Sequence, residues 1–146
     1  MSRRILVATD FSPASRKAFE HALALARAAP GQLLVAHVLP SVGPIAVEGY
    51  AAPRMYADMA LAVRASAEKR LKALLERARR RRVRARGLLL TGVPHEALGR
   101  AARRERADLL VIGTHGRTGM SRLLMGSVAA RVIGTAPCPV LTVRGR

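Results

Sequence analysis

Two kinds of apolar pattern alternate along this chain. Short apolar runs, Ile5-Leu6-Val7-Ala8, the nearly uninterrupted Leu33 to Leu39 and Leu109-Leu110-Val111-Ile112, read as strands buried on both faces, and Val83 to Leu90 and Val140 to Val143 give a third and a last strand. Between them, apolar residues return every three or four positions, the spacing of a helix with one buried side. The first helix starts at Ser12-Pro13, a cap residue followed by proline at the first helical position, and repeats through Ala14, Ala18, Ala22, Ala26 and Ala29. The longest runs from about Met55 to Arg82, with Met55, Met59, Val63, Ala67, Leu71, Leu74, Leu75 and Ala78 along one stripe. A shorter one opens at Val93-Pro94-His95-Glu96, and a fourth covers Ser127 to Gly134.

Five buried strands alternating with four amphipathic helices predict an α/β fold: an open parallel sheet, Rossmann-like, with right-handed crossovers and helices on both faces. At 146 residues the chain fits one domain, residues 1–146, without internal repeats. The stretch from Pro40 to Pro53 holds three prolines and two glycines, which marks a long connection without regular structure.

Composition narrows the function classes. Half of the residues are hydrophobic and 24% are charged, too apolar for a disordered segment, and no 18-residue uncharged run is long enough to cross a membrane. Asp10 breaks the first apolar run, so no signal peptide is read and a cytoplasmic protein is expected. The single Cys138 cannot form an internal disulfide, and no Cys/His spacing matches a metal site. No G-x-x-x-x-G-K-[ST] loop is present, which argues against fast nucleotide turnover.

The charge is unusual: 26 basic against 9 acidic residues leaves +17, and nearly all the basic residues are arginine. Seven of the ten positions from Arg77 to Arg86 are Arg. Its plainest account is a solvated helix end, where cations offset the negative end of the helix dipole. A nucleic-acid partner is the weaker alternative; with no Trp, two Tyr and two Phe, the chain lacks stacking residues for single strands.

Candidate chemistry follows the strands, since open parallel sheets bind ligands beyond the carboxyl ends of their strands. Thr9-Asp10 follows strand one, and Gly113-Thr114-His115-Gly116-Arg117 follows strand four. Gly113, Gly116, Gly126 and Ser127 make the pattern G-x2-G-x9-G-S, ending where a helix begins with Val128. Glycines admit backbone amides to an anion, and helix-start amides carry partial positive charge, so the pattern describes a phosphate cradle. Arg117 and Arg122 could add bidentate contacts. The plainer alternative makes the glycines turn residues and Ser127 a helix cap. Asp10 fits either an Asx turn or an acceptor for a ribose hydroxyl or adenine amine. His37 reads as a satisfied strand-end histidine, and His115 as a loop residue rather than a general base.

The order of these pieces resembles the universal stress protein family, in its ATP-binding subgroup. The likeness rests on Ile5 to Ser12, Ala107 to Arg117, Gly126-Ser127-Val128-Ala129 and Ala136 to Leu141, and spans nearly the whole chain. It implies strand order 3-2-1-4-5, with ATP, with or without Mg2+, held between strands one and four. Asp10 is then expected at the adenosine part and Val38 at the base. Gly113 and Gly116 are expected at the ribose and phosphates, and Gly126, Ser127 and Val128 at the phosphates. The resemblance also implies a homodimer through residues 140–143 and a regulatory role, with slow ATP hydrolysis as the alternative. Ala130 stands where many such proteins carry an acidic residue, and nothing in the family accounts for +17.

Overall fold

The computed structural model describes residues 3–41, 53–115 and 125–145. Its elements are β1 (Arg3–Ala8), α1 (Pro13–Ala28), β2 (Gly31–Val38), α2 (Pro53–Arg80), β3 (Arg84–Leu90), α3 (Pro94–Arg104), β4 (Leu109–Gly113), α4 (Ser127–Thr135) and β5 (Val140–Val143). The strands form one parallel sheet in the order β3-β2-β1-β4-β5. The chain therefore reverses direction across the sheet at β1, and β1 and β4 lie side by side at that switch point.

Alternation along β1 divides the core. Ile5 and Val7 pack with Ala18, Phe19, Ala22 and Leu23 of α1 and Leu71 and Ala78 of α2. Leu6 and Ala8 face the other way, against Leu98, Ala101 and Ala102 of α3 and Ala129 and Val132 of α4. Two helices thus cover each face. Both sides of the central strands are dry, which is why those strands read as unbroken apolar runs.

Helix ends follow local signals. Ser12 caps α1, its hydroxyl accepting the Ser15 N–H at 3.2 Å, and Pro13 takes the first turn. At the close of α2, the Arg82 N–H donates to the Arg79 carbonyl and the Val83 N–H to the Ala78 carbonyl. α3 closes in the same way, Arg106 to Arg103 and Ala107 to Ala102. These are Schellman endings, and each places arginine in the left-handed position usual for glycine, φ 58° at Arg82 and φ 53° at Arg106.

One expectation needs correcting. The apolar stripe on α2 is continuous in sequence, but only Ala67, Leu71 and Ala78 are buried on it, while Met55 and Met59 are 53% and 50% exposed. The cause is length. A helix of 28 residues extends ~42 Å, whereas the seven residues of β3 reach only ~23 Å, so the first half of α2 overruns the sheet.

Candidate functional site

The turn after β1 is built from side chains bonding their own backbone. Thr9 Oγ1 accepts the Phe11 N–H at 3.0 Å and lies 3.2 Å from Ser15 Oγ, and Asp10 Oδ1 accepts the Ser12 N–H at 2.9 Å. The Asx-turn account of Asp10 is therefore correct, and the same residue still lines the cleft described below. Between them Phe11 takes a left-handed conformation, φ 63°. Its ring lies 4.5 Å from that of His37 and 5.6 Å from the Arg70 guanidinium carbon. His37 Nδ1 is 2.8 Å from the Thr9 carbonyl, which can only accept, so Nδ1 carries the proton. The strand-end role expected of His37 holds.

Burial pushes the Asp10 carboxyl up, but hydrogen bonds from the Ser12 hydroxyl and N–H, with smaller help from Ser15 and the residue's own amide, outweigh it. The net result is a pKa below the ordinary carboxylate value, and the turn favours the anion.

Beyond β4 the chain is pinned at two points. The Thr114 N–H donates to the Val143 carbonyl at 2.9 Å, and the Thr114 carbonyl accepts the Gly126 N–H. This second bond closes the base of the glycine-rich loop and sets the start of α4 beside the end of β4. Two readings of the sequence change here. Gly126, not Ser127, is the N-cap, and it offers no side-chain acceptor to the first turn. The Gly126 amide is also occupied by Thr114, so the helix-start donors that remain are those of Ser127, Val128 and Ala129.

Gly113 differs from expectation too. A Cβ there would stand 3.0 Å from the Ala14 carbonyl carbon, 3.1 Å from its oxygen and 3.2 Å from the Ser15 nitrogen. Glycine at this position lets β4 pass against the first turn of α1, a packing requirement that the spacing alone could not distinguish from an anion path.

His115 Nδ1 lies 2.9 Å from Thr114 Oγ1, while Nε2 is buried without a hydrogen-bond partner among the described residues. An unpaired buried nitrogen costs about 1–3 kcal/mol, so a ligand that reaches it recovers that energy.

These pieces meet around a cleft of about 290 Å³. Thr9, Asp10, Val38, Gly113, Thr114, His115, Gly126, Ser127 and Val128 all line it. Gly116 and Arg117, with Gly119 and Arg122, lie outside the described residues. Sequence reasoning missed Ser15, His37, Pro94, Leu98 and Ala129, which also line the cleft. Pro94 carried a usable signal: proline at a helix start just after a strand places that start at the same edge of the sheet. The lining thus combines apolar side chains, Val38, Leu98 and Ile112, with the uncapped start of α4 and with His115. Among the described residues, no three of His, Cys, Asp or Glu come together as a metal site, and Asp10 is the one carboxylate at the cleft.

The universal stress protein family matches residues 1–144. The chain belongs to that family. A universal stress protein of Thermus aquaticus is 36% identical over 155 aligned positions, covering 99% of this chain and all of its own. The solved structure of the hypothetical protein MJ0577 superposes with a TM-score of 0.86 at 25% identity, covering 100% of this chain and 98% of that one. A universal stress protein in complex with cAMP superposes with a TM-score of 0.68 at 27% identity, covering 99% and 98%. The length superposed on MJ0577 takes in the whole of the five-stranded parallel sheet of this universal stress protein, with β1 at its centre. Among its described residues, no helix is long and apolar enough to cross a membrane.

Proposed function

We propose that this universal stress protein binds ATP between β1 and β4 and acts as a regulator that responds to the bound nucleotide rather than consuming it rapidly. The observation that carries this reading is the pairing of an uncapped helix start at α4 with the orphaned His115 Nε2, both at one cleft. Unsatisfied amides at a helix start favour an anion, and an unpaired ring nitrogen favours a hydrogen-bonding group beside it. The complex of a 27%-identical relative with cAMP supports an adenine nucleotide as the ligand class.

In this assignment the Ser127, Val128 and Ala129 amides and the Ser127 hydroxyl hold phosphate oxygens, with Gly116 and Arg117 completing the cradle. Thr114 sets the orientation of His115 through Nδ1, leaving Nε2 for a phosphate or ribose oxygen. Asp10, kept ionised by its turn, accepts from a ribose hydroxyl or the adenine amine, and Val38 packs against the base. Asp10 being the one carboxylate at the described cleft, Mg2+ would travel chiefly on the phosphates themselves. The β5 edge, where Leu141 is 37% exposed, is where a homodimer would form, removing an open sheet edge. The proposed compartment is the cytoplasm.

Mass spectrometry of small molecules released from the denatured protein, together with calorimetric titration of ATP, tests this reading. An adenine nucleotide and micromolar affinity are expected, lost in Gly126→Val. No nucleotide and no affinity at millimolar ATP would overturn it.

A further inference from the structure

The pole of the sheet opposite the cleft collects the basic residues. In a parallel sheet every strand begins at one edge, and the helices that run back end at that same edge. The carboxyl ends of α1, α2 and α3 therefore bring their arginines beside those at the starts of β1 and β3. The Arg4 N–H donates to Asp108 Oδ2 and its guanidinium to the Glu105 carbonyl, tying the start of β1 to the α3–β4 turn. Some of the charge is neutralised locally: Arg77 pairs with Glu20, and Arg86 and Arg104 with Glu105. Arg3, Arg79, Arg82, Arg84, Arg103 and Arg106 are exposed and form no ion pair among the described residues.

A groove of about 650 Å³ runs along this pole between the end of α2 and the start of β3. Lys72, Arg79, Arg82, Arg84 and Arg86 line it, against the single acid Glu76. Two further features set this pole apart from an ordinary solvated helix end. Arg82 and Arg106 both occupy left-handed backbone positions where glycine would be unstrained, so strain is retained to keep a guanidinium at two separate helix ends. The basic residues are also drawn from the ends of α2 and α3 and the start of β1 rather than from one helix terminus.

We propose that this pole binds the phosphodiester backbone of a duplex nucleic acid. Arginine's planar fork matches phosphate oxygens two at a time. Among the described residues, the pole lacks aromatic platforms: Phe19 is buried in the core, Phe11 packs on His37, and Tyr56 lies at the start of α2. That favours a duplex, recognised by its backbone, over stacked single strands. A membrane surface fits less well, because surface insertion needs an apolar face. Among the described residues, Met55, Met59, Leu61 and Val93 are exposed toward the far end of the molecule, while near this one Leu25 of α1 and Ile133 of α4 are exposed on helices that cover opposite faces of the sheet and so form no continuous apolar face.

From β3 to β4 the basic edge crosses three strand spacings, ~14 Å, which faces about four phosphates of one duplex strand at ~3.4 Å each. Four neutralised phosphates make log K fall with log salt at a slope of about −4, roughly a 100-fold loss between 50 and 200 mM salt.

The test is fluorescence anisotropy with the full chain and 20-base-pair duplex DNA and duplex RNA of one sequence, the two arms telling which sugar is preferred. Expected are micromolar or tighter binding at 50 mM salt and a slope near −4. Arg79→Gln/Arg82→Gln/Arg84→Gln should weaken binding at least tenfold and make the slope shallower by about two units, whereas Arg16→Gln/Arg54→Gln/Arg64→Gln, removing equal charge elsewhere, should change it less than threefold. Should the first variant melt abnormally, Arg103→Gln/Arg106→Gln serves instead, with the same direction expected. No binding at 50 mM salt, a flat salt dependence, or equal losses in the two triple variants would overturn the proposal. So would tighter binding to polyglutamate, to vesicles containing phosphatidylserine, or to single-stranded DNA.

Discussion

Gly113→Ala separates the two reasons for glycine at the end of β4. The added Cβ would lie 3.0–3.2 Å from three backbone atoms of Ala14 and Ser15, which belong to the first turn of α1 and cannot rotate away as a side chain would. Relief requires β4 and α1 to separate by a few tenths of an ångström, and overpacking of this kind costs about 1–3 kcal/mol. For a chain of this size each kcal/mol lowers Tm by roughly 2–4 °C, so a fall of about 3–10 °C is expected. Because Ser15 bonds Thr9 across the same contact, the displacement reaches the cleft, and ATP affinity should fall together with stability. Differential scanning calorimetry and calorimetric titration on one preparation make the comparison. An unchanged Tm accompanied by lost ATP binding would refute the packing argument and return Gly113 to the role of an anion path.

His115→Phe keeps an aromatic side chain but removes both the unpaired Nε2 and the Nδ1 that meets Thr114; it should raise the Kd for ATP by about 3–10-fold, one hydrogen bond's worth, read by the same titration. Asp10→Asn tests linkage: a folded-state pKa below the unfolded value of about 3.9 means the anion stabilises the fold above that pH and the benefit disappears as pH falls through the lower folded value. The wild-type advantage over Asp10→Asn, measured by urea unfolding, should therefore be present at pH 7 and shrink toward pH 3. Ser12→Ala removes the α1 cap and should cost about 1 kcal/mol in the same unfolding experiment. Arg82→Gly and Arg106→Gly should each stabilise the protein by about 0.5–1 kcal/mol through relief of left-handed strain while weakening duplex binding; a drop in Tm would show that the strain is not there.

Much of the fold was legible because burial on both faces leaves a local mark. Apolar runs located β1, β2 and β4, the less apolar stretches Val83 to Leu90 and Val140 to Val143 gave β3 and β5, and Ser12-Pro13 located the start of α1 to the residue. The long stripe on α2 was legible as a helix but not as a partly exposed one, since periodicity records which side of a helix is apolar and carries no measure of how far the sheet beneath it extends. Likewise Gly126-Ser127 announced a helix start, yet which residue caps it depended on the Thr114 carbonyl, a partner twelve positions away.

Local physics in the sequence determined the helices, the strands and the chemical character of the cleft residues: small glycines, an ionised aspartate and a helix start. Tertiary structure decided what those residues face. Setting β4 beside β1 placed Gly113 on the backbone of α1, left His115 Nε2 without a partner at the mouth of α4, and brought Ser15 and Leu98 into the cleft. The same strand order drew arginines from the ends of α2 and α3 and the start of β1 to one edge. Contacts between residues far apart in the chain depend on strand order, and no short-range pattern records it.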